Sequence, residues 1–468
     1  MSSDRCGRES TCMRNDTRAS RRRDVVFDAL RTRLWPVPTL GVIVAIGVGI
    51  GTVQLDEALD GSMPPWLSQL LFGGGPDAAR EVLGSVAGSL ITVTSLTFSL
   101  TLVTLQLASS QFSPRLLRTF ARDRFVQRTL ALFLATFVYS LTVLRTVRTG
   151  TDGGDSEFVP KISVTTAFLL AVASVIALVL FLAHLVREIR VETMLANVYR
   201  DAAEAVRAAA PKYDPQAPPP AVPRRPTRAY TVDATSSGFV TRVDEAALLT
   251  AAIEMNVVIT IDRMPGRSVT EGTPVASVWS HDPGAEIGSD DLRDLRSRTA
   301  AAIRTGPERT PIQDLGYGLQ QLTDVVVKAL SPGINDPTTA IHALGHSSAL
   351  LCEMATLDLS PRTLCDERGH TLVVIPRPSL AMLLDWAVTQ PRRYGASDAS
   401  VLARLFLLLQ ELAWHAPWPD RELAITSQLA RLQVTVSAQS FDLHESHELE
   451  QSADAVVDAL RGRWATDT

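Results

Sequence analysis

The sequence lacks the short motifs by which most enzyme and cofactor sites are recognised. It has no Walker phosphate loop, no G-x-S-x-G turn, no H-E-x-x-H helix and no dinucleotide fingerprint. Its 4 cysteines include no C-x-x-C pair, and its histidine pairs, such as His342 and His346, complete no zinc ligand set. We therefore predict a protein that is not an enzyme, with no catalytic residue, no metal site and no cofactor.

A surplus of basic charge is also missing. The chain has 45 Lys and Arg against 50 Asp and Glu, which gives a formal net charge of -5 at pH 7. Nucleic-acid-binding domains usually carry a clear basic surplus, so the sequence predicts no nucleic-acid partner. A cleavable signal peptide is not expected either, because a basic, polar tail over residues 1–33 precedes the first apolar run.

The sequence does contain four long apolar runs in its first two-fifths. They cover residues 34–55, 82–110, 125–147 and 162–186. Each is long enough to cross a bilayer core, which takes about 20 helical residues. A buried core helix would explain any single run. Four in succession, separated by short polar loops, favour a transmembrane domain over residues 34–186, with the lipid bilayer as its partner.

The loops between these runs differ in charge, which predicts an orientation. Arginines such as Arg22 and Arg23 precede the first span, whereas Asp56 and Glu57 follow it. Because positively charged loops stay in the cytoplasm, the pattern predicts a multi-pass protein of the cell membrane. Its N-terminus and its C-terminal domain are both expected on the cytoplasmic side.

The loop after the second span is the most basic. Ser113 and Pro114 are a good helix start, and Arg115, Arg118 and Arg122 then share one face. These arginines favour a short interfacial helix whose basic side meets lipid phosphates. A plain positive-inside anchor is the alternative, and both interpretations can hold.

The second span carries hydroxyl groups on two faces. Ser85, Thr92, Ser95, Ser99, Gln106 and Ser110 share one face, and Thr94, Thr97, Thr101 and Thr104 share a roughly opposite one. One interpretation is helix packing, which Gly84 and Gly88 would support. The other is a hydrated pathway inside a homo-oligomer, with Thr92, Ser95, Ser99, Thr101 and Gln106 as candidate lining residues. No charged residue occurs over 82–111, which argues against a proton relay there.

The remainder of the chain predicts an α+β region on the cytoplasmic side. Residues 187–227 are expected to form a helical stalk and a proline-rich linker, and residues 228–280 a small β module. The spacing in that module resembles the barrel-sandwich fold of biotinyl and lipoyl domains. No lysine occurs between Lys212 and Lys328, which excludes a swinging-arm carrier. Residues 288–468 show helical periodicity and predict a mainly helical domain.

Three motifs point to one family. The sequence reads RTPIQDLGYG over 309–318, ALSPGINDPTTA over 329–340 and SSQFSPR over 109–115. With the order of parts, these motifs resemble a bacterial family of predicted membrane proteins, domain of unknown function 2254. The resemblance covers nearly the whole chain apart from the N-terminal tail and the linker. It implies this membrane architecture and no activity.

The same motifs supply the candidate ligand or structural residues. They are Arg309, Asp314, Ser331, Asn335, Asp336 and Thr338. Asp336 followed by Pro337 is a helix start, so Asn335 and Asp336 fit simple capping residues. The same helix N-terminus could instead hold an anion or polar ligand. A third possibility is that Asp336 and Asp314 converge on a cation.

Two functional classes therefore remain open. The first is an oligomeric pore or transport protein, whose second span lines a path that the cytoplasmic domain gates. The second is a membrane-anchored sensor or scaffold, whose cytoplasmic domain binds a ligand or a protein partner. Hydroxyl groups on two faces are more than an anchor requires, so the sequence favours the first class. It does not identify a small ligand or ion.

Overall fold

The structure, a computed structural model, describes residues 35–59, 71–111, 123–148, 158–188, 190–217, 220–416 and 418–464. The chain divides into two compact units. We call Asp16–Thr193 the span unit and Met194–Thr468 the C-terminal unit.

Within its described residues, the span unit contains four helices that are long and apolar enough to cross a membrane, as predicted. They are α1 (Pro36–Leu59), α2 (Pro76–Gln111), α3 (Arg124–Leu144) and α4 (Lys161–Glu188). Helix α2 begins six residues before the predicted span, because Pro76 at the first position and Asp77 in the first turn favour a helix start there.

Helix α3 is the central helix of this unit and packs against the other three. Small residues on α1 allow it to approach α3 closely. A Cβ at Gly41 would lie 3.2 Å from the Ala131 carbonyl oxygen, and one at Gly49 would lie 3.1 Å from Thr142 Cγ2. Close approach at small residues is the usual means of helix association in membranes. Phe133 and Tyr139 fill the core between the helices and are almost fully buried.

Helix α5 (Val191–Ala209) lies in the predicted helical stalk, and all but its first three residues belong to the C-terminal unit. Its apolar side chains, including Leu195 and Val198, are buried within the unit. The segment after it also pairs with the unit, since Tyr213 N donates to Thr356 O at 2.8 Å. The boundary between the two units therefore falls within residues 187–227, between Thr193 and Met194, because α5 is amphipathic and buries its apolar face in the C-terminal unit.

Two sheets follow, built from eight short strands. These are β1 (Tyr230–Asp233), β2 (Gly238–Val243), β3 (Val257–Ile261), β4 (Ser268–Val269), β5 (Pro274–Ser280), β6 (Ile303–Gly306), β7 (Arg362–Cys365) and β8 (Thr371–Ile375). One sheet has the order β1-β5-β3-β8-β7 and the other β4-β2-β6. Strand β8 is parallel to β3, and the remaining pairs are antiparallel.

The strand order corrects the predicted β module. Strands within 228–280 do not form a sheet of their own, because β6, β7 and β8 from the predicted helical domain complete both sheets. Helices α6 (Glu245–Glu254) and α7 (Ser289–Ala302) cover the sheets and contribute Leu248 and Leu295 to the core. The chain thus forms a mixed helix and sheet region.

Six further helices complete the C-terminal unit. They are α8 (Tyr317–Ala329), α9 (Pro337–Ala355), α10 (Leu380–Tyr394), α11 (Ala399–His415), α12 (Pro419–Ser437) and α13 (Leu443–Leu460). They agree with the helical periodicity of residues 288–468, since each has apolar residues at helical spacing. Side chains cap several of them, and α13 has a complete capping box of Asp442 and Glu445.

Candidate functional site

The two hydroxyl-bearing faces of α2 have different surroundings. On one face Thr94, Thr97, Thr101 and Thr104 are buried, and each hydroxyl donates to the carbonyl oxygen four residues earlier at 2.7–2.8 Å. Threonines that bond their own helix backbone leave no polar group unsatisfied in a packed interface. Thr101 was predicted as a pathway residue, and this is corrected: it belongs to the packed face of α2.

The opposite face of α2 is exposed. The other candidate pathway residues, Thr92, Ser95, Ser99 and Gln106, all lie on it. Gly84 and Gly88 also face this side, where an added Cβ would meet nothing within 4 Å. Among the described residues of one copy, no other helix therefore packs against these two glycines. The structure separates one packed face from one exposed polar face.

Two acidic residues extend this exposed face toward the start of α2. Asp77 and Glu81 are exposed and lie eight and four residues before Ser85. At 3.6 residues per turn, these spacings keep all three side chains on one side of the helix. The exposed face therefore changes from acidic to hydroxylated along α2.

A buried carboxylate, which the sequence analysis assigned only to an acidic loop, joins α1 to α4. Asp56 is 3% exposed, and its Oδ1 accepts from Ile162 N at 2.8 Å. Its Oδ2 accepts from Ser163 N at 2.9 Å and from Ser163 Oγ at 2.7 Å. These bonds satisfy first-turn N–H groups of α4. Its position just after an apolar run was the available signal, but the partner is 106 residues away.

A histidine and an aspartate, also missed from the sequence, meet between α3 and α4. His184 Nε2 lies 2.5 Å from Asp123 Oδ2, and the same carboxylate caps α3 by accepting from Phe125 N at 2.8 Å. The His184 ring also contacts the Phe125 ring, with centroids 4.7 Å apart. The pair holds the end of α4 beside the start of α3.

In the C-terminal unit, Arg309 and Asp314 form a two-point ion pair. Arg309 Nε donates to Asp314 Oδ2 at 2.7 Å, and Nη2 donates to Oδ1 at 3.0 Å. Burial raises the pKa of Asp314, and the bonds from Arg309 oppose that shift. A buried carboxylate held in this way needs its arginine, because removing either partner leaves an uncompensated charge.

The residues around this pair fit tightly against it. Gly266 has φ +86°, and an added Cβ there would lie 2.1 Å from Asp314 Oδ2. The Gln313 amide bonds both backbone groups of Val243, at 2.7 and 3.1 Å. A Cβ at Gly316 would lie 2.4 Å from the Trp386 ring. The motif over 309–318 thus joins a turn, strand β2 and helix α10 through structural contacts.

The second motif forms the start of α9. Asp336 Oδ1 accepts from Thr339 N at 3.0 Å, and Oδ2 accepts from Thr339 Oγ1 at 2.6 Å. These bonds lower the pKa of Asp336. Asn335 adopts φ +51°, and Ser331 Oγ donates to Lys328 O at 2.6 Å. Thr338 is exposed beside them. This geometry matches the capping interpretation.

The structure gives no support to the predicted cation site. The carboxylate of Asp314 is bound to Arg309, and that of Asp336 is bound to Thr339. Among the residues that the structure describes, no group of three or more His, Cys, Asp or Glu could hold a metal ion. The predicted interfacial arginines, Arg115, Arg118 and Arg122, lie outside the described residues.

An open groove of about 780 Å³ lies in the C-terminal unit. It runs between the start of α10 and α12, and its lining includes Arg267, Arg421 and Arg431. A smaller cavity of about 220 Å³ lies on the other side of Trp386 and is lined by Asp314 and Gln313. The volume of the groove is in the usual range for small-molecule sites.

Comparison with known proteins adds a family and no activity. The family described as "Predicted membrane protein (DUF2254)" matches residues 31–411. Proteins of Mycobacterium bovis and Mycobacterium tuberculosis, each described as uncharacterized, are 37% identical over 415 residues. The aligned region is 87% of this chain and 77% of each relative. No solved structure matches. With four apolar helices and a match over most of its length, the chain belongs to this family of predicted membrane proteins.

Proposed function

We propose that the protein is a homo-oligomeric pore or transport protein of the cell membrane. In this proposal α2 lines a hydrated path, and the C-terminal unit lies on the cytoplasmic side and gates that path. The observation that carries the proposal is the exposed polar face of α2, where Thr92, Ser95 and Ser99 lie opposite the packed threonines.

The exposed faces of α1 and α4 support this interpretation, because they are apolar whereas that of α2 carries hydroxyl groups. On α1 the exposed side chains include Leu40 and Ile43, and on α4 they include Val175 and Val179, all at least 61% exposed. Such side chains suit lipid, whereas polar side chains in a span usually face other helices or water. From Ser85 to Gln106 the polar face extends over about six helical turns.

A single α2 cannot enclose a path, so the proposal requires several copies around one axis. Gly84 and Gly88 have open space at the Cβ position, which would let another copy approach closely. Exposed apolar residues such as Leu96 and Leu102 flank the polar face and would meet lipid or the adjacent copy. Closed rings of identical subunits are common among oligomers.

The acidic start of the exposed face supports a preference for cations. Asp77 and Glu81 would form rings of negative charge at one mouth of an oligomeric path, and such rings attract cations. The hydroxylated part that follows has no fixed charge and would offer only dipoles to a passing ion. The substitutions Asp77→Asn and Glu81→Gln should therefore lower the preference for cations over anions without closing the path.

The second candidate function is a membrane-anchored sensor or scaffold. The observation that favours it is the groove of about 780 Å³ in the C-terminal unit. We also propose that the role is not enzymatic, because Arg309, Asp314 and Asp336 are engaged in contacts that hold the fold. The two candidates differ at α2, since a scaffold would tolerate substitutions on its exposed face.

The test is single-channel recording of the purified protein in planar bilayers. Wild type is compared with Ser99→Leu, and Val175→Leu is the control because Val175 is exposed on α4. We expect discrete steps whose conductance falls in Ser99→Leu and is unchanged in the control. Equal conductance in all three would contradict a path lined by α2.

A closed gate would also give recordings without conductance steps, so a truncated version of the protein is needed as a second sample. A chain that ends at Arg190 keeps the four spans and lacks the proposed gate. Steps in this chain alone would support gating by the C-terminal unit. Silence from both chains, with folded oligomers present by native mass spectrometry, would overturn the pore.

A further inference from the structure

The groove between α10 and α12 carries more positive than negative charge. Arg267, Arg421 and Arg431 line it, against Asp358 and Asp385. Arg421 is 5% exposed, its Nη2 donates to Leu357 O at 3.0 Å, and its guanidinium lies 4.7 Å from the centre of the Tyr213 ring. A cation fixed in this way adds its field to the groove without having to be ordered when a ligand binds.

A second source of positive potential is the start of α10. Ser379 caps this helix, and its side chain accepts from Met382 N at 3.3 Å. Leu380 and Ala381, in the first turn, also line the groove. First-turn N–H groups have no acceptor within their helix, and the helix dipole is positive there. Backbone donors and a positive end together favour an anion such as phosphate.

A buried amide on the opposite wall lacks a donor. Gln428 is 4% exposed and lines the groove, and its Oε1 has no hydrogen-bond partner among the described residues. Its Nε2 donates to Asp385 Oδ1 at 3.5 Å, so exchanging the two amide atoms would place oxygen against a carboxylate. A buried acceptor without a donor costs about 1–3 kcal/mol. This oxygen is closed off from solvent, so a ligand hydroxyl group can satisfy it once the Gln428 side chain turns toward the groove.

We propose that this groove binds a hydroxylated organic phosphate. The phosphate lies at the start of α10, beside Arg267, and a hydroxyl group donates to Gln428 Oε1. Asp385 contacts Gln428 and is five residues after Leu380, about 7.5 Å along the helix axis. That separation suits a phosphate ester of a small polyol.

The charge of Asp385 limits which phosphates the groove can bind. Asp385 accepts from Thr389 at 2.7 Å and from Arg431 at 2.8 Å, and the Thr389 bond is the main reason why its pKa is lowered. It therefore stays ionised and would repel a second phosphate. The groove should prefer a monophosphate with free hydroxyl groups over pyrophosphate or a bisphosphate. Binding here does not require that α2 conducts.

Isothermal titration calorimetry on the full chain in nonionic detergent tests this site. The probes are sn-glycerol 3-phosphate and myo-inositol 1-phosphate, with glycerol as the uncharged control. We expect both phosphates to bind and glycerol not to bind. Dissociation constants weaker than about 1 mM for both phosphates, together with no binding of lipid headgroups that depends on this groove, would overturn the proposal.

Three variants decide whether binding uses this groove. Ala381→Asp places a carboxylate in the first turn of α10, which favours the helix and repels an anion, so folding should persist while affinity falls. Arg267→Gln should weaken binding by about tenfold, the effect of one charged hydrogen bond. Arg293→Gln, on the exposed side of α7, is the matched control and should bind like wild type. Equal affinity in all variants would contradict the site.

The phosphate could belong to a free metabolite or to a lipid headgroup. The same variants are therefore assayed for binding to phosphatidylglycerol vesicles, with phosphatidylcholine vesicles as the control. Loss of vesicle binding in Ala381→Asp, without binding of the free probes, would identify a headgroup as the source. Binding of the free probes would identify a soluble ligand. If Ala381→Asp affects neither measurement, the groove does not bind phosphate.

Discussion

At the scale of single residues, the motif over 309–318 holds several parts of the fold at one point. Its buried carboxylate, Asp314, is satisfied by Arg309 and by the backbone of Gly316. Gly266 comes from a distant turn and leaves just enough room for that carboxylate. The sequence predicted Arg309 and Asp314 as ligand or structural residues. It did not predict their contacts, because a motif carries no information on which distant segment packs against it.

The contact at Gly266 leads to a direct prediction. Gly266→Ala puts a side chain at φ +86° and 2.1 Å from Asp314 Oδ2, so the Arg309 pair must shift. We expect a loss of about 3 kcal/mol in the free energy of unfolding, from left-handed strain and disruption of a buried ion pair. Thermal unfolding of the full chain in detergent, compared between wild type and Gly266→Ala, measures this loss of stability.

The control for this variant is Gly272→Ala. Gly272 has φ +76°, and an added Cβ would meet nothing within 4 Å. Backbone strain alone should therefore cost about 1 kcal/mol there. Equal destabilisation by the two variants would show that the fit against Asp314 contributes nothing.

Asp336 allows the capping and ligand-binding interpretations to be separated. Asp336→Ala removes the bonds to Thr339 and should cost about 1 kcal/mol, whereas Asp336→Asn, which also caps well, should cost a few tenths. The pKa of Asp336 is lowered in the fold, mainly by its bond from the Thr339 side chain. The ionised carboxylate therefore stabilises the fold above its unfolded pKa of about 3.9. That stabilisation is lost as the pH falls through the lower folded pKa.

Unfolding curves at pH 7 and at pH 3 check this prediction. The difference between wild type and Asp336→Asn should shrink at the lower pH. An asparagine variant that is as unstable as the alanine variant at pH 7 would contradict the capping role.

At the scale of elements, helices were more predictable than sheets. The apolar spacing of a helix such as α11 is contained in one segment of the sequence. Strand β8 instead pairs with β3, more than 100 residues earlier. Neither segment contains a local signal that predicts this pairing. The predicted β module over 228–280 was therefore incomplete. The groove was missed for the same reason, since its walls come from distant segments.

The exposed face of α2 makes a prediction that cysteine cross-linking can test. If copies of the chain assemble on this face, Ser95→Cys should form a disulfide-linked dimer under mild oxidation in membranes. Thr97→Cys is the matched control, because Thr97 is fully buried on the packed face. The wild-type chain controls for its native cysteines. Equal dimer yields from the two variants would show that α2 does not lie at a subunit interface.

At the scale of the whole molecule, the boundary between the two units falls earlier than the sequence predicted. The proline-rich segment looked like a linker because proline disfavours regular elements. Helix α5 nevertheless belongs to the C-terminal unit: Tyr199 Oη donates to Glu353 Oε1 at 2.8 Å, and the Arg377 guanidinium donates to Ala209 O at 2.6 Å. Composition alone could not reveal this, because these partners lie more than 150 residues away.

This boundary predicts which fragment folds alone. A fragment over 191–468 keeps α5, whereas one over 228–468 begins at the predicted β module and loses it. Four large apolar side chains of α5 are buried, namely Met194, Leu195, Val198 and Val206. At about 1.5–3 kcal/mol each, their loss is comparable to the whole stability of a domain.

We therefore expect the fragment over 191–468 to be monodisperse by size-exclusion chromatography and to unfold cooperatively by circular dichroism. The fragment over 228–468 should aggregate, because the surface that α5 covers would be exposed to water. Tyr199→Phe in the longer fragment is a graded control and should cost only about 1 kcal/mol, the value of one hydrogen bond. If the shorter fragment is as stable as the longer one, α5 is an attachment to the C-terminal unit and not part of its core.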